Sequence, residues 1–131
     1  MVIDTSALTA IFFGEPERNV FRAAILEANT RLISAATLLE AGIVIEGRRG
    51  DGAGRELDLF TLRANFQIIA VDGEQAELAR SAWRKYGKGR HPAALNFGDC
   101  FVYALALSSG EPILAKGPEF GRTDVDVCSV R

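Results

Sequence analysis

Three carboxylates in this chain stand alone in apolar surroundings. Asp4 is the only charged side chain between Met1 and Gly14, Glu40 the only one between Leu32 and Ile45, and Asp99 the only one between Pro92 and Gly110. An ionised carboxylate taken out of water is costly unless something compensates its charge. None of the three runs contains a Lys or Arg. A shared divalent cation would compensate all three, and hard oxygen donors suit Mg²⁺ or Mn²⁺. The single histidine, His91, and the widely separated Cys100 and Cys128, with no CxxC pair, argue against zinc. Carboxylates gathered around one or two such ions are how many nucleases activate water and stabilise a leaving oxygen.

Each acid also has a plainer reading. Asp4 could cap the helix that follows it. Asn96 and Asp99 have the spacing of a capping box, with Asp in place of Glu. Glu40 has Ala36, Thr37, Ile43 and Val44 as its helical neighbours, which puts it on the buried stripe. Its plain reading is a side chain that snorkels to the surface. One such explanation is easy to accept; three at once are less economical than one ion.

Those acids need elements to carry them. Short apolar runs predict strands at Met1–Asp4, Arg31–Ser34, Gln67–Val71, Pro112–Ala115 and Val125–Ser129. Helices are expected at Ser6–Phe13 with Ser6 as cap, Glu15–Ala28 with Pro16 in its first turn, Ala35–Arg48, Gly54–Asn65, Gly73–Tyr86 and Asn96–Ser108. The segment GKGRHP reads as a loop. Strands alternating with helices predict an α/β fold, an α/β/α sandwich around a central, mainly parallel sheet. In such sheets ligands sit beyond the carboxyl ends of the strands, where Asp4 falls.

The 131 residues fit one domain, 1–131, and 48% hydrophobic content can fill a core. A net charge of −2 excludes a basic field over the whole molecule, so any nucleic-acid contact needs a local patch. The two cysteines read as reduced core residues of a cytoplasmic protein. The N-terminus lacks the basic start of a signal peptide. Pro92–Gly110 is apolar but carries Asp99 and helix-start signals, so a buried helix is expected there rather than a membrane span.

MVIDTSAL, SAATLLEAGIVI and LNFGDCFVYALA together resemble PIN-domain endoribonucleases, and more narrowly the VapC-type toxins of toxin–antitoxin pairs. The resemblance spans nearly the whole chain, and LNFGDCFVYALA is its most specific part. It implies an α/β/α sandwich and RNA cleavage dependent on Mg²⁺ or Mn²⁺, leaving a 5′-phosphate and a 3′-hydroxyl. It also implies a homodimer and a cognate VapB-type antitoxin. By position, Asp4, Glu40 and Asp99 match the family's core acids, Thr5 and Ser6 the small hydroxyl residues after the first acid, and Asn96 the polar residue before the third. A fourth acid is expected after the fourth strand. Here the segment reads ILAKGPEFGRTDVDV, and both Glu119 and Asp124 are candidates. On this reading Asp4 and Asp99 hold the ion directly, while Glu40 acts through water.

RNA must approach an acidic site. Arg80, Arg84, Lys85, Lys88 and Arg90 form a run without an acid, and Trp83 and Tyr86 interleave to stack on bases. Arg48, Arg49 and Arg55 form a second cluster, for phosphate or for a helix end. Lys116 could pair with the acids or a phosphate, whereas His91 reads as a surface residue. Phe12, Phe13 and Phe21 either pack in the core or leave a groove for an antitoxin helix or second subunit. Two other functions compete. One is a catalytically inactive PIN scaffold that binds RNA or a protein. The other is a phosphoacceptor receiver domain, which lacks the required Asp at a middle strand end, because Ser34 ends the second strand.

Overall fold

The computed structural model describes residues 1–130. Four short strands, β1 (Val2–Ile3), β2 (Leu32–Ser34), β3 (Gln67–Ile69) and β4 (Ile113–Leu114), form one parallel sheet in the order β3-β2-β1-β4. Six helices connect them: α1 (Thr5–Phe12), α2 (Arg18–Glu27), α3 (Ala35–Arg49), α4 (Asp51–Arg63), α5 (Gly73–Tyr86) and α6 (Phe97–Ser109).

Strand alternation divides the core in two. Val2 and Ile113 face a cluster built on α5 and α6, with Tyr103, Val102 and Leu95. Ile3, Ile33 and Leu114 face the opposite cluster, with Leu8, Ile25, Ile45 and Leu57 from α1 to α4. The sheet is therefore covered on both faces, the expected α/β/α sandwich. The chain adds β2 and β3 on one side of β1, then crosses to place β4 on the other. This reversal lies between β1 and β4, and sheets of this kind bind ligands at such a switch point, beyond the carboxyl ends of the strands.

Several local expectations shift. The predicted fifth strand, Val125–Ser129, is reduced to one bridge between Ile113 and Val127, since the backbone is still bent at residues 123–125 and only Asp126 and Cys128 of this segment bond to Ile113 among the described residues. Asp4, not Ser6, caps α1, since Asp4 has extended backbone and accepts from the Ser6 N–H. The glycine-rich stretch begins α4 at Asp51, three residues earlier than expected. Glu40 is not on the buried stripe of α3. Thr37, Ala41 and Ile45 are, while Ile43 is 64% exposed.

Candidate active site

Asp4 follows β1, and the strand end fixes it. Its N–H donates to the Leu114 carbonyl at 3.0 Å, so β4 sets the backbone from the side. Its carboxylate is buried, and Oδ2 accepts from the Ser6 N–H at 3.0 Å and the Ser6 hydroxyl at 2.5 Å. Ser6 Oγ in turn accepts from the Lys116 N–H at 2.8 Å, just past β4. The first acid is thus wired to both strands that flank the switch point. Sequence reasoning gave Ser6 a place beside Asp4 but missed the Lys116 backbone contact. The β1–β4 pairing that creates it leaves no local signal.

Glu40 and Asp99 arrive on helices. Glu40 sits half-buried in α3, with Oε1 accepting from Thr5 Oγ1 at 2.5 Å. Asp99 is the third residue of α6 and closes a capping box: its Oδ2 accepts from the Asn96 N–H at 3.0 Å, and Asn96 Oδ1 from the Asp99 N–H at 2.9 Å. The approach to α6 is itself braced, as the Lys88 N–H donates to the Leu95 carbonyl and the Leu95 N–H to the Tyr86 carbonyl, both at 2.9 Å. The capping readings of Asp4 and Asp99 therefore both hold.

Electrostatics shows that the acids share one field. Burial raises the Asp4 carboxyl above its ordinary value despite the Ser6 hydrogen bonds, and Glu40 pushes in the same direction. Burial likewise raises Asp99 to about 6, against the Asn96 N–H, with Asp4, Glu119 and Glu40 each adding repulsion. Glu119 lies half-buried after β4, where Gly117, at φ +105°, makes the turn. It therefore joins the other three. Asp124 does not: its Oδ1 accepts from the Tyr103 hydroxyl at 2.6 Å, a bond that holds its carboxyl below the ordinary value. Asp124 fastens the C-terminal segment to α6 instead.

No Lys or Arg forms an ion pair with Asp4, Glu40, Asp99 or Glu119 among the described residues. Lys116 is turned away, 3.5 Å from Glu15 and 3.2 Å from Glu17. Also among the described residues, no three carboxyl, imidazole or thiol groups are gathered closely enough to cage an ion alone. The hydrogen bonds described fall on one oxygen of each core acid. Carboxylate and hydroxyl donors without a compensating cation fit a hard divalent ion, and Mg²⁺ commonly keeps several waters and needs only one or two direct carboxylates. The residues present fit such an ion.

The predicted basic run is exposed on the last turn of α5 and the loop after it, including Arg84, Lys85, Lys88 and Arg90. Arg90 stacks 4.6 Å over Trp83 and donates to the Arg84 carbonyl. Tyr86 is unavailable for stacking because it packs against Tyr103 and His91. A hollow of about 620 Å³ lies beside the acids rather than over them, between α5 and α6, lined by Trp83, Phe97, Phe101, Arg80, Lys88 and Asn96. Arg48 and Arg49 both stack on Phe13. Phe21 is buried, whereas Phe12 and Phe60 line a groove with Arg18, Arg22 and Arg63. His91 is occupied in its loop, its Nδ1 accepting from the Ala93 N–H.

Residues 1–126 match the PIN domain model. The chain belongs to the PIN-domain family. Within that family it is 54% identical over 125 residues to Ribonuclease VapC of Mycolicibacterium smegmatis, covering 95% of this chain and 97% of that protein. It is 53% identical to Ribonuclease VapC30 of Mycobacterium tuberculosis, covering 95% of each. The PIN fold is also that of solved structures with low sequence identity. Mycobacterium tuberculosis VapC20, a sarcin–ricin-loop-cleaving toxin, aligns with TM-score 0.77 at 18% identity over 95% of each chain. VapBC2 of Rickettsia felis, bound to a promoter DNA fragment, aligns with TM-score 0.75 at 15% identity over 96% of this chain and 94% of its own.

Proposed function

We propose that this PIN-domain protein is the RNA-cleaving toxin of a toxin–antitoxin pair, an endoribonuclease that works with Mg²⁺ or Mn²⁺. The observation that carries this reading is the field shared by Asp4, Glu40, Asp99 and Glu119 at the β1–β4 switch point, with no protein cation to offset it. The VapC ribonuclease relatives, matched over almost their whole length, support the same activity.

Asp4 and Asp99 would hold the ion, with Glu119 as the fourth acid. When bound, the ion supplies a more acidic water and positive charge against the phosphate. Ser6 keeps Asp4 in one rotamer, and the Asn96 capping box does the same for Asp99. Glu40 would orient the attacking water and take its proton, with Thr5 bonded to the carboxylate to fix its direction. Water adds to phosphorus and the bond to the ribose 3′-oxygen breaks. That oxygen takes a proton, leaving a 3′-hydroxyl and a 5′-phosphate. Arg84, Lys85, Lys88 and Arg90 would meet the RNA backbone, with Trp83 rather than Tyr86 presenting an aromatic face.

A VapB-type antitoxin is the expected partner. Leu39, Ile43, Ile68 and Phe97, all exposed, give a homodimer apolar surface to cover. No described helix is long and apolar enough to cross a membrane, and free Cys100 and Cys128 support a cytoplasmic location.

Cleavage of single-stranded RNA with Mn²⁺, comparing wild type with Asp4→Asn, tests the proposal. Asn retains the helix cap. The variant should lose at least about a hundredfold in rate, since even residues behind the ligands are worth ~10–100-fold. Equal rates would reject the metal site, and RNA binding without cleavage by either protein would favour an inactive scaffold.

A further inference from the structure

Gly98 is the second residue of α6, directly before Asp99. Its backbone does not require glycine, since its φ is not positive. Alanine is the better helix former at such a position. What the missing side chain leaves is space for Glu40. A Cβ on Gly98 would collide with Glu40 Oε2 and come within 3.0 Å of its Cδ and Oε1. Glu40 is held from the other side, where Thr5 Oγ1 bonds Oε1 at 2.5 Å. Thr5 is itself fixed as the first residue of α1, next to Asp4. The Glu40 carboxylate is therefore clamped between the start of α1 and the bare first turn of α6. Free N–H groups of a helix's first turn favour negative charge there.

We infer that Gly98 is a positioning residue: its bare Cα sets how closely the Glu40 carboxylate approaches Asp99 and the ion the acids share. The ion half of this statement rests on the function proposed above. Gly52 gives the internal comparison. It holds the same second position in α4, and a Cβ there would meet nothing within 4 Å.

The test compares Gly98→Ala with Gly52→Ala in the full chain. The atoms that the methyl of Gly98→Ala displaces are the far end of a flexible side chain, so the fold should accept the change. Without metal, both variants are expected to melt at or above the wild-type temperature. Mn²⁺ titration should show wild-type affinity for Gly52→Ala and a loss of about 10–100-fold for Gly98→Ala. Glu40→Asp should weaken binding in the wild type, yet restore part of it in Gly98→Ala, because the shorter side chain withdraws from the new methyl. The ¹³C carboxyl resonance of Glu40 in metal-free protein should shift in Gly98→Ala and stay in place in Gly52→Ala. That readout needs no metal, so it judges the clamp even if wild type binds no Mn²⁺, a result that would count against the proposed function instead. An unmoved resonance overturns the inference. So does wild-type Mn²⁺ affinity in Gly98→Ala, or melting several degrees below wild type, which would make Gly98 a packing residue.

Discussion

Arg31 precedes β2 and Asp4 follows its neighbour β1, so they mark opposite ends of the sheet, and the chain treats their charges in opposite ways. Arg31 directs its guanidinium at three carbonyls: Ile25 at 2.5 Å, Ala64 at 2.7 Å and Leu26 at 2.7 Å. These belong to the ends of α2 and α4, where helix carbonyls lack partners of their own. At the same end, the N-terminal ammonium meets Glu111 and Thr30. The ammonium is paired with an opposite charge, and the Arg31 guanidinium fills carbonyls that the helix ends leave open. At the carboxyl end, Asp4, Glu40, Asp99 and Glu119 repel one another, and the donors to the first three are all neutral. One end secures the fold; at the other, the function proposed above assigns the charge to an external cation.

The largest difference should come from exchanging one charge at each end. Asp4→Asn should abolish most RNA cleavage and raise the melting temperature of the metal-free protein, because a buried charge is removed while the cap survives. Arg31→Ala should do the reverse. Losing three bonds from a charged donor, and stranding the carbonyls, should cost about 2–4 kcal/mol in urea denaturation. Cleavage at a temperature where the variant is folded should persist. If Arg31→Ala lost activity while fully folded, the division of labour would be wrong.

The two ends should also titrate with opposite sign. Burial lifts Asp99 to about 6 in the metal-free chain, against an ordinary value of 3.8. The folded chain then binds that proton more tightly than the unfolded chain. Its contribution is most favourable below about 3.8, declines as pH rises to about 6, and is flat above. Glu111 is held low by the terminal ammonium and Thr30. Its contribution is present above its ordinary 4.5 and is lost as pH falls. Urea denaturation of metal-free protein from about pH 4 to 7 isolates the first effect, because Asp99→Asn should shrink the decline between about 4 and 6 to the part that the raised Asp4 carboxyl contributes. An unchanged profile would mean Asp99 is not held in a shared, desolvated field.

The smallest effect separates the two candidate fourth acids. Asp124→Ala strands the Tyr103 hydroxyl and should cost about 1–2 kcal/mol with cleavage changed only a few-fold. Glu119→Gln should leave stability nearly unchanged and weaken Mn²⁺ binding. The reverse pattern would restore Asp124 to the site.

How much of this was legible depended on range. The three core acids could be read because a lone charge in an apolar run is a local anomaly, and strands β1 to β4 because their apolar runs are short and bounded. The Asn96–Asp99 box was equally local. Three things were not. Lys116 carries a charge that pattern assigns to the acids, yet Glu15 and Glu17 claim it, from a loop distant in sequence. Tyr86 looked free to stack until Tyr103 and His91 closed on it. Ile43 looked buried because helical spacing shows which residues share a face but not which face meets the core. The separation of Glu119 from Asp124 needed the path after β4, which no motif in TDV records.

Calorimetric titration of Mn²⁺ into wild type and Asp4→Asn, at about pH 7.5, above the value of about 6 that burial gives Asp99, tests the central claim most directly. Saturable binding is expected in wild type, lost or weakened at least about tenfold in Asp4→Asn, with Arg31→Ala matching wild type. Absence of binding in wild type, or equal affinity in Asp4→Asn, would contradict it.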